Sequence, residues 1–213
     1  MLFNNSLSEG TFPECFTTAK NIQIFISLDS YSTVNYRPIS MLPFLLKIFE
    51  KLMCARVNSY LKSNNIVCAN QFGFRKNSNT SDAIIEFLDY VYSSLASKQS
   101  TIVVYQYLLK AFGTVNHNIL MSKLLHNGIR GAMKHWFESY LTNRKRYISI
   151  KNCSSSITNI TLGVPQGSVL GPVLFLLYIN DMYRSSNQMR FVHLLTIQQF
   201  LHPTVTLTIS MPL

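Results

Sequence analysis

The chain has 213 residues, 47% of them apolar and 13% charged, so it can bury a core as one domain and is too apolar to be disordered over most of its length. Lys and Arg number 19 against 9 Asp plus Glu, and the net charge of +10 points to a polyanionic partner, either nucleic acid or an anionic membrane surface. Only Glu138 and Asp181 among the carboxylates lie beyond residue 90, which leaves an acid cluster or a carboxylate-held metal site almost nothing to draw on in the C-terminal half.

Residues 1–40 read as irregular, with one short strand at Ile22–Ile26, and Pro38 and Pro43 bracket a turn. Apolar residues then recur at helical spacing (Leu45, Ile48, Phe49, Leu52, Met53, Val57, Tyr60, Leu61), which predicts an amphipathic helix over Leu45–Leu61. Asn77–Ser81 reads as a loop and N-cap. It opens a second helix, Asp82–Leu95, with Ile84, Ile85, Leu88, Val91, Tyr92 and Leu95 on one face. The β-branched and aromatic stretch Thr101–Leu108 predicts a buried strand. Helices over Ile119–Leu125 and Met133–Leu141 follow, then a basic turn at Asn143–Arg146, strands at Tyr147–Ile150 and Ile157–Leu162, and an apolar helix ending near Asp181. Strands and helices interleave, so the expected class is α/β or α+β.

Cys15, Cys54, Cys68 and Cys153 show neither metal-ligand spacing nor a disulfide framework. Met1–Gly10 has no basic stretch followed by an apolar core, so no signal peptide is expected. The longest apolar run, Val169–Ile179, is about half the length of a spanning helix. The expected location is intracellular, in nucleus or cytoplasm, away from membrane.

The most specific stretch is Gly163–Pro172, Gly-Val-Pro-Gln-Gly-Ser-Val-Leu-Gly-Pro. A strand runs into a tight, Gly-rich turn that opens an apolar helix, an arrangement that brings backbone N–H groups close to a ligand. Gln166 is the side chain there able to meet a polar partner at several atoms. An ordinary strand-to-helix turn would read the same way.

This string and its continuation to Met182 resemble the GVPQGSVLGP motif and following "LLFLIYINDL" of reverse transcriptases from jockey-type non-LTR retrotransposons. Further matches occur in that family's order: Glu9–Pro13, Asn35-Tyr36-Arg37-Pro38-Ile39-Ser40, Gln71-Phe72-Gly73-Phe74-Arg75-Lys76, Ser81–Ile84, Lys110-Ala111-Phe112, and Trp136-Phe137 through Asn143-Arg144-Lys145. The resemblance spans about residues 5 to 193. It implies a right-hand polymerase fold, with fingers at about 1–98, a partial palm at about 99–193 and the thumb missing. It implies RNA-directed DNA synthesis as the ancestral nucleotidyl transfer, with an RNA template, a DNA primer and Mg²⁺. Gln166, with Gly167 beside it, takes the place of the glutamine under the incoming nucleotide and template base. Arg75 takes the place of the fingers arginine that meets phosphate or template, with Lys76 next to it. A planar guanidinium suits bidentate phosphate contact, although a surface ion pair is the plainer role. Arg144 and Lys145, in the basic turn, are candidates for backbone phosphate, with a solvated turn equally open.

The resemblance breaks at the acids. Relatives read FLDLSKAFDTVDH where this chain reads Tyr105 to His117. Tyr107 occupies the catalytic Asp position, and Gly113 and Asn116 occupy the next two. A neutral phenol cannot replace a metal-bridging carboxylate. The family's FADD pair is absent too, since no Asp-Asp occurs in the chain. Codons permitted for His193–His202 spell Phe-Ala-Asp-Asp-Thr-Thr-Val-Phe-Ala when read one base out of frame, so residues 194–213 are expected to be an out-of-frame, non-native tail. The basic IPIFKKGD stretch reads Ile22–Asp29 here and has lost two lysines. His117 and His126 are a poor metal pair, Trp136 and Phe137 read as core, and Asp181 is given no catalytic part. No intact catalytic residue and no well-held Mg²⁺ are expected. What stays open is weak nucleic-acid binding by the basic fingers and palm. With its central hairpin lost, the Thr101–Leu108 strand is expected to lack a partner.

Overall fold

A computed structural model describes every residue except 1, 27–28, 100, 102, 106–110, 151–152, 186–191, 193–205 and 208–213. In chain order the described elements are α1 (Leu2–Glu9), β1 (Thr18–Phe25), β2 (Tyr36–Met41), α2 (Phe44–Ser63), α3 (Thr80–Ala96), β3 (Val104–Tyr105), α4 (His117–His126), α5 (Gly131–Leu141), β4 (Lys145–Ile150), β5 (Cys153–Ser154), β6 (Thr158–Asn159), α6 (Gly171–Ile179) and β7 (Thr206–Leu207). The mixed α/β class holds. The chain forms two compact units, Met1–Ser63 with Lys110–Tyr178, and Asn64–Leu109 with Ile179–Leu213.

The first unit is built on a mixed sheet in the order β2-β1-β4, with β5 and β6 both pairing β4. The first two strands are antiparallel and in register from Lys20↔Met41 to Phe25↔Tyr36. β1 and β4 run parallel, which requires a long crossover, and the helices between them provide it. Pro38 therefore does not flank a turn. It sits inside β2, opposite Gln23, and is tolerated because β2 is an edge strand with no further ladder for its missing N–H to join. Pro43 does end the strand, and its carbonyl accepts from Lys47 N at 3.2 Å to start α2.

α2 runs 20 residues without Gly or Pro and stops at Asn64-Asn65, where Asn65 takes left-handed backbone at φ 51°. Its buried stripe is Leu46, Phe49, Glu50, Met53, Val57 and Leu61. The period matches the expectation, but the stripe is rotated, for Leu45, Ile48, Leu52 and Tyr60 are exposed and a carboxylate takes a buried place. The core around it is aromatic. Trp136 stacks on Tyr140 at 5.4 Å, and Phe12 meets both edge-on at 5.5 and 5.1 Å. Phe3 meets Phe49 edge-on at 5.2 Å, tying α1 to α2. α6 is apolar all round, and Val173 to Leu177 are each buried, so it runs through the core. Among the described residues no helix is long and apolar enough to cross a membrane.

In the second unit, α3 opens on a capping box: the Asn79 side chain accepts from Asp82 N at 3.0 Å, and Asp82 Oδ2 accepts from Asn79 N at 2.9 Å. Its apolar face has the expected period, yet Ile84, Ile85, Leu88, Tyr92 and Leu95 are exposed, while Ala83 and Ser94 are buried. The strand expected over Thr101–Leu108 is described only at Val104–Tyr105, and it is not without a partner. β7 pairs with it antiparallel, Val104↔Leu207 and Tyr105↔Thr206, from within the stretch read as a non-native tail. Tyr107 lies outside the described residues.

Candidate nucleotide and nucleic-acid site

The Gly163–Pro172 loop is held from several sides of the first unit. Gly163 N donates to Val115 O and Val164 N to Phe112 O, both at 2.8 Å. His117 Nε2 lies 2.7 Å from Gly163 O, which gives His117 a structural part in place of the metal role weighed for it. At the loop's apex Ser40 N donates to Gln166 O at 2.8 Å, so the loop covers part of the free edge of β2. Gly167 takes φ +104°, and a Cβ there would come within 3.1 Å of Ser40 O and 3.2 Å of Ile39 Cγ2. Both the backbone and the close approach call for glycine. Ser168 closes the turn: its hydroxyl donates to Pro165 O at 2.7 Å and accepts from Gly171 N at 2.9 Å, where α6 begins. Phe112 stacks on Phe175 of α6 at 5.1 Å beneath the loop.

Gln166 itself is half-buried, and its side-chain amide takes no hydrogen bond from the described residues. The loop backbone is thus tied at Gly163, Val164, the Gln166 carbonyl and Gly171, while the Gln166 side-chain amide is left for a ligand.

The sequence offered no role for Glu50, and this is the site residue that was missed. Its carboxylate is 0% exposed. Oε1 accepts from the Tyr140 hydroxyl at 2.7 Å, and Oε2 accepts from Val169 N at 2.6 Å. Burial pushes the Glu50 carboxyl above its ordinary range, against the Tyr140 and Val169 hydrogen bonds, the Arg144 charge and a further bond from Leu170 N–H. Burial also pushes the Tyr140 phenol up, with the Glu50 charge adding to it. A carboxylate on the apolar stripe of α2, flanked by Phe49 and Met53, is the signal that could have found it.

Arg144 needs correction. It is 1% exposed, so a phosphate at the surface does not reach it. After the left-handed Asn143 (φ 55°) its guanidinium turns back on α5. It donates Nη1 to Tyr140 O at 3.0 Å and lies over the Tyr140 ring at 4.7 Å and the Phe12 ring at 5.7 Å. Its Nε and Nη2 find no partner among the described residues. Its charge faces Glu50 instead. Lys145 and Arg146, next in the chain, are exposed at the start of β4.

In the second unit Asn180 anchors the loop that leads to Arg75: its Oδ1 accepts from Cys68 N at 2.9 Å, and its Nδ2 donates to Ile66 O at 2.8 Å. Arg75 is exposed, with Nη1 donating to Cys68 O at 3.3 Å and Ala69 O at 3.1 Å. Its remaining donors take no hydrogen bond from the described residues, and Lys76 beside it is exposed.

Gly113 and Asn116, matched by resemblance to acids of the family motif, each have a local setting. Asn116 is the N-cap of α4, its Oδ1 accepting from Ile119 N at 3.2 Å. Asn and Asp cap about equally well, so this change leaves the helix start intact. Asn116→Ala is expected to cost about 1 kcal/mol of stability and Asn116→Asp almost nothing, as read from paired urea unfolding curves. At Gly113 an added Cβ meets nothing within 4 Å, so that change leaves no packing trace. Asp181 follows α6 and is exposed. Among the described residues no three of His, Cys, Asp and Glu come together to hold a metal. Glu50 is committed to Tyr140 and Val169, and Asp82 to its capping box. Among the described residues, then, no carboxylate set for Mg²⁺ is assembled.

The chain matches the family described as "Reverse transcriptase (RNA-dependent DNA polymerase)" over residues 26–201. It is 34% identical over 151 residues to the "Probable RNA-directed DNA polymerase from transposon X-element" of Drosophila melanogaster, covering 70% of this chain and 16% of that protein. It is 31% identical over 186 residues to the "RNA-directed DNA polymerase from mobile element jockey" of the same species, covering 85% and 20%. It is 30% identical over 188 residues to the jockey polymerase of Drosophila funebris, with the same coverage. The chain spans a fifth or less of the length of these relatives. The match over most of the chain makes it a member of the reverse transcriptase family, on the side of the jockey-type non-LTR retrotransposon polymerases.

Proposed function

We propose that this chain is a reverse-transcriptase-derived module that engages RNA template and DNA primer without performing nucleotidyl transfer. The observation that carries the reading is the preserved loop around Gln166, set beside acid positions that read Tyr107, Gly113 and Asn116. In this reading Gln166 and Gly167 meet the nucleotide or template base, and Arg75, Lys76 and Lys145 meet backbone phosphate. The fingers comprise about residues 1–98 and a partial palm about 99–193, and residues 194–213 follow a frame break near His193. The nucleotide sequence tests that last element: codons 193–202 that fail to spell Phe-Ala-Asp-Asp in the shifted frame rule it out.

Two measurements test the rest. Primer extension with the purified chain, an RNA template, a DNA primer and either Mg²⁺ or Mn²⁺ is expected to give no product. Tyr107→Asp alone is expected not to restore it, because the second pair of acids is still missing; clear extension by the unaltered chain sinks the inactivity reading. Binding of the same template–primer is expected to weaken steeply with salt. Lys76→Ala and Lys145→Ala should each flatten the log–log slope by about one unit. A slope that neither change moves removes these lysines from the interface.

A further inference from the structure

We propose that Glu50 is a positioning residue that sets the Gln166 loop for its ligand, acting from α2 through the Val169 backbone. The inference rests on the reading of that loop as the template- or nucleotide-contacting one.

The loop has two kinds of anchor. Upstream of Gln166 the loop N–H groups are tied by main chain, Val115 and Phe112 carbonyls on Gly163 and Val164, with Ser40 N on Gln166 O and the His117 ring on Gly163 O. Downstream, before α6 begins, the N–H groups have no carbonyl of their own helix to reach. Ser168 Oγ takes Gly171 N, and the side chain that takes Val169 N comes from a separate element more than a hundred residues earlier in the chain. Glu50 thus supplies, from α2, a buried acceptor for the Val169 N–H just ahead of α6. Its other oxygen is held by Tyr140 of α5, whose ring lies under Arg144. The acceptor therefore cannot drift, and Val169 is fixed relative to α2 and α5. Gln166 sits three residues upstream, between the Ser40 tie and this one. Loosening the downstream tie frees the loop to pivot on Ser40 and move the Gln166 amide.

The test compares Glu50→Gln with Glu50→Leu in the full chain. Both fill the volume, but only glutamine keeps an oxygen for Val169 N, with its amide facing the Tyr140 oxygen. In the unaltered chain the Val169 amide is expected to exchange with solvent as slowly as Leu174 inside α6. In Glu50→Leu its exchange should rise by about tenfold or more while amides of α5 and β1 stay protected, and Glu50→Gln should restore it. In parallel, a labelled RNA-template–DNA-primer duplex at fixed salt should bind Glu50→Leu as weakly as Gln166→Ala, and Glu50→Gln close to the unaltered chain. Should the leucine variant fail to fold, rapid Val169 exchange in the unaltered chain would by itself overturn the proposal, and slow exchange with near-normal binding by Glu50→Gln would uphold it. Exchange that rises throughout the first unit in Glu50→Leu means a general core role and overturns it. Weakened binding by Gln166→Ala with full binding by Glu50→Leu overturns it alone. Unchanged binding by Gln166→Ala defeats the reading of the loop, and the positioning role with it.

Discussion

Trp136→Ala is expected to remove about 3–5 kcal/mol of stability, the largest single-site loss in the first unit. Trp136 is 0% exposed. Its ring stacks on Tyr140 and meets Phe12 and Phe137 edge-on at 5.5 and 5.4 Å, and its Nε1 donates to the Ser6 hydroxyl at 2.9 Å. Truncation opens a cavity lined by three rings and leaves Ser6 without that donor, so α1 loses its polar tie to α5. The surrounding helices cannot close the gap, because Tyr140 is itself held by Glu50. Domains of this kind have about 5–15 kcal/mol in all, so the variant should unfold at much lower urea or be recovered unfolded. Ile150→Ala, at a position 59% exposed on β4, is the matching control and should shift the midpoint little. Equal effects at the two sites would show that the aromatic cluster is not the core.

Gly163→Ala should cost about 2–4 kcal/mol and loosen the Gln166 loop as well. Gly163 has φ +90°, and an added Cβ would come within 2.9 Å of Gly113 Cα, 2.9 Å of Phe112 O and 3.0 Å of Gly113 O. Those are backbone atoms, which cannot swing aside as a side chain can. The strain falls on the segment that accepts the Gly163 and Val164 hydrogen bonds, so template–primer binding should fall together with stability. Gly131→Ala separates the two contributions. Gly131 also has positive φ, +59°, but its Cβ would meet nothing within 4 Å, so it should show only the conformational cost of about 1–2 kcal/mol. A Gly163 variant no worse than the Gly131 variant would mean that the loop and the 111–114 turn are not in contact.

The periodic features were readable directly. The helices at α2, α3, α4 and α5, the N-cap before α3 and the turn that opens α6 at Gly163–Pro172 follow from spacing and turn chemistry, which are local properties of a chain, whereas the strand expected over Ile157–Leu162 is confined to Thr158–Asn159. The ordered motifs placed it in its family. Errors came where a residue's neighbours lie far along the chain. Pro38 looked like a turn because its edge-strand setting depends on β1 and β4 being the inner strands. Arg144 looked like part of a basic surface because Lys145 and Arg146 follow it, yet its ring partners are Phe12 and Tyr140. The exposed stripe of α3 has the pattern of a packed helix, but a pattern states only that a face is apolar and does not say what covers it.

Residue identity alone established that position 107, matched by resemblance to a family Asp, is a phenol without a carboxylate, and that no Asp-Asp occurs in the chain. Charge, helical period and motif order are likewise properties of the string. Folding settled which charges are solvent-facing and which are buried. It made Glu50, for which the string offered no role, the buried acceptor for Val169, and it made Arg144, a candidate for backbone phosphate, its facing charge. The physical reason is desolvation: the same carboxylate or guanidinium is inert at the surface and decisive once water is removed, and only packing between distant segments removes it.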